Sequence, residues 1–142
     1  MKKIIICLCC ILLIFSLVAC NKANISNDIS IEISESTKFS KDEIEDAIQC
    51  VKNNFSFPAA TLTKILYAEE KSNYLVDSYL EYGRGSINGI EAENVIVLLS
   101  NFDVDDSGDN PVLTPNSTYS DYSWTLIRDS KSSAWRIDES GY

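Results

Sequence analysis

Asn94-Val95-Ile96-Val97-Leu98-Leu99 carries an unbroken apolar run from Val95 to Leu99. A β-strand sends successive side chains to opposite faces, so a run without polar alternation leaves both faces to be covered. This segment predicts the middle strand of a sheet with layers on both sides. On its N-terminal side, Gly83, Gly85, Asn88 and Gly89 all tolerate positive φ, and their density predicts a loop. Before that loop, Ser72 to Tyr82 sets Leu75, Val76, Tyr79 and Leu80 on one side of a helix, and Leu62 to Glu69 reads as a strand.

Further upstream, Ser40-Lys41-Asp42-Glu43 is a capping box: the Ser40 hydroxyl accepts from the Glu43 amide while the Glu43 carboxylate reaches back to the Ser40 amide. Ile44, Ala47, Ile48, Val51 and Phe55 follow at i, i+3, i+4, i+7 and i+11, one apolar stripe that must pack on the sheet, and Pro58 bounds the helix. Asp42, Glu45, Asp46, Gln49 and Lys52 form the solvated face. Downstream, Tyr122, Trp124 and Leu126 alternate with Ser123 and Thr125, Asp129 to Ser133 offers a turn, and Trp135 and Ile137 alternate with Arg136 and Asp138. That pattern predicts an antiparallel hairpin.

The expected fold is therefore α+β: an N-terminal signal helix, then one or two helices packed on a curved, mainly antiparallel sheet of about four strands. Residues 40–142 form the globular domain and residues 20–39 a flexible tether, rich in Ser, Asn and acidic residues. Within that tether Ile29, Ile31 and Ile33 alternate with Ser30 and Glu32, which gives residues 29–33 an alternative reading as an edge strand.

Residues 1–19 read as a signal peptide. Lys2 and Lys3 precede an apolar run from Ile4 to Ala19, which is shorter than the roughly 20 residues of a spanning helix. The run closes on Leu17-Val18-Ala19-Cys20, which resembles the lipobox of bacterial lipoproteins. The resemblance implies diacylglyceryl transfer to the Cys20 thiol, cleavage before Cys20, and a chain held by lipid on the extracytoplasmic face of the cell membrane. The alternative is an uncleaved apolar anchor. Burial of lipid is worth about 0.8 kcal/mol per methylene, and two acyl chains hold where one binds marginally. Loss of Lys2 and Lys3 from the 12 basic residues leaves ten against 21 acidic ones, so the exported part is strongly anionic and repelled by anionic headgroups.

Cys7, Cys9 and Cys10 leave with the leader, Cys20 is capped by lipid, and Cys50 has no partner for an internal disulfide. Cys50 is either a buried inert thiol or a free one. With no histidine in the chain, Ser-His-Asp and Cys-His catalysis and histidine-ligated zinc are excluded. The net charge of −9 argues against nucleic acid as a partner.

Beyond the lipobox, Asn94 to Leu99, Asn116-Ser117-Thr118-Tyr119, Trp124, Trp135-Arg136-Ile137-Asp138 and Gly141-Tyr142 resemble uncharacterised bacterial lipoproteins with a cystatin-like or nuclear-transport-factor-2-like domain. Such folds serve enzymes and binding domains alike, so the resemblance implies a fold and no activity. Three constellations carry residue types suited to chemistry or ligand binding. Asp103-Val104-Asp105-Asp106-Ser107-Gly108-Asp109 opens like a calcium-binding loop but has Thr114 where a bidentate Glu is required, so it reads as a solvated acidic turn or a calcium module. Glu69 and Glu70, read as adjacent strand residues, point to opposite faces and cannot share a substrate. Tyr67, Tyr74, Tyr79, Tyr82, Tyr119 and Tyr122 either line a cavity or fill the core. Asn116-Ser117-Thr118 fits a glycosylation acceptor that such a protein has no reason to use.

The expected function is a membrane-anchored module that binds a protein or small ligand without catalysis or cofactor, its membrane contact made through lipid on Cys20. The alternatives are a small enzyme working on the concave sheet face and a calcium-stabilised surface module.

Overall fold

The computed structural model describes residues 23–142. The signal peptide, the lipobox and Cys20 lie outside the described residues. Five strands form one sheet in the order β1-β2-β3-β4-β5: β1 (Asn24–Ile33), β2 (Ala60–Tyr67), β3 (Val95–Val104), β4 (Ser117–Ile127) and β5 (Arg136–Gly141). Helix α1 (Lys41–Asn54) joins β1 to β2, and α2 (Glu69–Tyr82) and the short α3 (Gly85–Asn88) lie between β2 and β3. Among the described residues no helix is long and apolar enough to cross a membrane.

The expected α+β architecture holds, with a fifth strand added. That strand is β1, formed by much of the segment expected to be a tether. It pairs parallel to β2 while every other pairing is antiparallel. The isoleucine alternation at residues 29–33 was the visible part of a longer strand. Ile29 and Ile33 are half-buried against the core, and Ile31, on the same face, stays exposed beside the outer side of α1.

β3 is the middle strand, and its apolar run is covered twice as its lack of alternation requires. Ile96, Leu98, Phe102 and Val104 face α1, whose stripe of Ile44, Ala47, Ile48, Val51 and Phe55 is buried throughout. Val95 and Val97 face the opposite way into a smaller core with Val76, Tyr79 and Ile127. Ser72, on α2, accepts a hydrogen bond at 3.1 Å from the Val97 amide. β2 has ended at Tyr67 by this level of the sheet, so the helix hydroxyl satisfies a strand donor that would otherwise be buried without a partner.

Helix α1 begins as its capping box dictates: Ser40 Oγ accepts from the Glu43 amide at 3.3 Å and Glu43 Oε2 accepts from the Ser40 amide at 2.8 Å. It ends at Asn54 with Phe55 in an extended conformation, short of Pro58. Helix α2 begins earlier than the sequence suggested, at Glu69, which moves Glu69 and Glu70 from a strand end into the first turn of a helix.

All four strand pairings carry an irregularity. Thr63 is extra against Leu62↔Phe102 and Lys64↔Asn101, so the buried positions of β2 shift from Ala60 and Leu62 to Ile65 and Tyr67. The others fall between Ile25 and Ser30, between Ser100 and Phe102, and between Thr125 and Leu126. Asp121, in the second of these, has φ 57°. Bulges bend and over-twist a strand, and together they curl the sheet around α1.

The glycine-rich stretch does not stay irregular: residues 85–88 form the single turn α3. Gly83 and Gly85 are required there by a close approach. A Cβ on Gly85 would lie 2.6 Å from Tyr79 Cε1 and one on Gly83 would lie 2.9 Å from the Tyr79 carbonyl oxygen. Gly85→Ala is therefore expected to destabilise by about 1–3 kcal/mol, the range for overpacking. Gly141→Ala, whose Cβ meets nothing within 4 Å, is expected to stay within about 0.5 kcal/mol of the parent. Urea unfolding of the two variants tests the distinction.

Candidate functional site

The concave face of the sheet, the site an enzyme of this shape would use, is occupied by rings. Phe57 stands between Phe55, Phe102, Tyr122 and Trp124 with ring centroids 5.1–5.9 Å apart. Tyr119 stacks on Phe102 at 5.2 Å, and Trp124 donates its indole N–H to Ser100 Oγ at 2.8 Å. The six tyrosines singled out above do not share a cavity. Tyr67 is buried with its hydroxyl 3.2 Å from Ser36 Oγ. Tyr79 lies on the opposite face and donates to Asp138 Oδ2 at 2.7 Å; its burial and that carboxylate push the phenol up to about 12. Tyr74 and Tyr82 are exposed.

A polar groove of about 610 Å³ lies elsewhere, between α1 and the connection from β4 to β5. Its floor is built on Arg128, 4% exposed, which follows directly on the buried end of β4. Burial of a guanidinium is tolerated only where its donors and charge are matched. Here Nη1 lies 2.8 Å from Glu43 Oε1, and weaker hydrogen bonds at 3.4 Å run to Asn94 Oδ1, the Lys131 carbonyl and the Glu93 carbonyl. Its face lies over the Trp135 ring at 4.4 Å and the Phe39 ring at 5.7 Å, a cation–π arrangement. Trp135 donates its indole N–H to the Glu43 carbonyl at 2.9 Å.

Glu43 thus serves two partners, closing the capping box with one oxygen and facing Arg128 with the other. Donation from the Ser40 amide, with the guanidinium adding to it against the opposing effect of burial, lowers its carboxyl to about 2. The walls carry polar groups, uncharged and of both charges: Asp46, Gln49 and Asn53 from the helix, Lys131, Ser132 and Ser133 from the turn. Cys50 lies on the helix wall, half-buried, with Sγ donating to the Trp135 carbonyl at 3.4 Å. Burial pushes its thiol up, so it stays protonated, in keeping with the inert reading. The arrangement offers hydrogen-bond donors and acceptors over a fixed floor. Its charged pair is already engaged with the protein itself.

Neither Glu69 with Glu70 nor the acidic stretch from Asp103 to Asp109 gathers metal-ligating side chains around a common point among the described residues. Glu69 accepts from the Thr37 amide at 2.7 Å and the Thr37 hydroxyl at 2.6 Å; the Ser36 and Thr37 hydroxyls lower its carboxyl to about 2. It ties the β1–α1 connection to the start of α2, while Glu70 is exposed. In the acidic stretch, Asp103 accepts from Thr118 Oγ1 at 2.6 Å and Asp105 accepts from the amide and hydroxyl of Ser107. No three metal-ligating side chains converge among the described residues. Asn110, buried, holds this loop together by donating to the Pro58 carbonyl and accepting from the Val112 and Leu113 amides.

Removing Arg128 leaves Glu43 facing an empty site. A fully buried pair broken on one side loses about 3–5 kcal/mol, and Glu43 keeps 17% of its side chain in solvent, so Arg128→Met is expected to lose about 2–3 kcal/mol in urea unfolding. The carboxyl of Glu43 is lower in the fold than its ordinary value of 4.5, so its stabilisation is complete above that value and is lost as pH falls toward 2. Glu43→Gln should make the decline of stability between pH 5 and 2 shallower, with the remaining slope carried by groups such as Glu69.

The model of a family described as a domain of unknown function, DUF4829, matches residues 48–141, which include Cys50, Arg128 and Trp135 but leave β1 and Glu43 outside. Searches of the curated proteins and of the solved structures find no match. The match spans well over half of the 142 residues, and the chain belongs to the DUF4829 family.

Proposed function

We propose that this protein is a lipid-anchored extracytoplasmic binding module, held to the cell membrane through Cys20, that uses the groove between α1 and the β4–β5 connection to receive a protein or small polar ligand without catalysis. The single observation that carries the binding reading is the filled concave face. Phe55, Phe57, Phe102, Tyr122 and Trp124 occupy the space a substrate would need, whereas the polar groove beside α1 is open. The lipidation reading rests on Leu17-Val18-Ala19-Cys20 closing a basic and apolar leader. A helix seated in a curled, mainly antiparallel sheet supports a cystatin-like or nuclear-transport-factor-2-like assignment of the domain.

In this reading Arg128, Glu43 and Trp135 are positioning residues. They fix the distance between helix and turn so that Gln49, Asn53, Ser132 and Ser133 present a preorganised set of donors and acceptors, which lowers the ordering cost of binding.

Cys20→Ala is expected to abolish both incorporation of labelled fatty acid and cleavage of the leader, leaving the intact precursor by mass spectrometry. Labelled, membrane-held mature protein in that variant would end the anchoring reading. For the groove, Gln49→Arg and Ser133→Arg are expected to abolish cross-linking to a partner that the parent captures in its native membrane, whereas Ile87→Arg, on exposed α3, should leave it unchanged. Equal capture by all three would place binding elsewhere.

A further inference from the structure

We propose that the end of the sheet bearing the β3–β4 connection rests at the bilayer surface, with the Arg128–Trp135 end turned away from it. The inference rests on the lipidation of Cys20 and adds a direction to it. Strand β1 begins at Asn24, only four residues after Cys20. A fully extended chain advances at most about 3.6 Å per residue, so the lipid-bearing residue lies within about 14 Å of the strand's start. The long flexible leash read from composition is therefore replaced by a short link joined directly to the sheet.

The register states which end that link reaches. Asn24 pairs with Thr61, Thr61 with Asp103, and Asp103 with Thr118, a row across one end of the sheet. Two loops extend beyond that row, tied together by the Asp105 amide donating to the Ala59 carbonyl and Asn110 donating to the Pro58 carbonyl, both at 2.9 Å. The other end is the row Ile33↔Tyr67 and Val95↔Ile127↔Arg136. A ten-residue strand such as β3 spans about 30 Å, twice the reach of the link.

Two features of the near end fit a headgroup surface. Val112 is 86% exposed at the loop tip, beside Pro111 and the half-buried Leu113, an apolar point of the kind that meets an interface. Asp105, Asp106 and Asp109 flank it and keep the contact shallow. An upright domain brings these few carboxylates to the headgroups. Lying flat would add those along the whole length of a strongly anionic molecule, at greater electrostatic cost.

The test uses the full-length lipidated protein, reconstituted in phosphatidylcholine vesicles with an energy acceptor in the headgroups. Cys50→Ala removes the one free thiol of the mature chain, and a donor dye is then placed at Val112→Cys or Ser132→Cys. Several-fold stronger transfer from residue 112 than from residue 132 is expected. Equal or reversed transfer in protein shown by mass spectrometry to carry diacylglycerol on Cys20 would overturn the orientation alone. Protein recovered without that lipid would instead overturn the anchoring reading. Should the Val112 variant not fold, Ser107→Cys in the same exposed loop replaces it with the same expectation.

Discussion

Extra residues inserted into the strand pairings constrain everything else in this fold. A regular pairing of ten-residue strands would twist gently and offer a broad face, whereas Thr63 and the irregularities around Asp121 and Asp138 bend the sheet enough to wrap one helix. Curling brings β5 and its preceding loop over the side of α1, which is how Trp135 and Arg128 come to meet a glutamate more than eighty residues earlier in the chain. It also closes the concave face on the aromatic residues that line it. The same bending that makes a groove at one side of α1 removes the cavity beneath its other end.

Arg128 shows how the groove keeps its shape. A guanidinium taken out of water is stabilising only if matched on its edges and faces, and here a carboxylate, an amide side chain, two carbonyls and two rings supply the match. These six partners come from four parts of the chain: the β1–α1 connection, the first turn of α1, the segment before β3, and the β4–β5 turn. Separation of any of these exposes an unmatched charge to low dielectric, so the cluster behaves as one unit. Proteins that recognise a ligand by hydrogen bonds benefit from such rigidity in the supporting layer.

Much of this architecture was legible in the sequence because the relevant signals are local and periodic. Ser40 and Glu43 define a helix start within four residues, the stripe from Ile44 to Phe55 defines its buried face, and the apolar run from Val95 to Leu99 places β3 centrally. What was not legible depends on partners distant in sequence. β1 was read chiefly as a tether because a half-exposed edge strand carries little hydrophobic patterning. Ile29 and Ile33 alone touch the core, and the parallel partner, β2, comes only after a whole intervening helix. Arg128 gave no sign of burial, since a single arginine after an apolar strand is what a strand end ordinarily shows. The glycines at 83 and 85 were read as conformational freedom when their role is to admit the ring of Tyr79.

Strand β1 has a further, mechanical meaning. It is an edge strand paired with β2 in two stretches, Asn24–Ile25 and Ser30–Ile33, with Lys64 and Glu32 paired across the two strands at 2.9 Å. Tension applied to the start of β1 along the strand axis loads each paired stretch in shear, and the longer one, Ser30–Ile33, lies behind the irregularity that follows Ile25. A domain loaded in this way resists being unravelled from that strand.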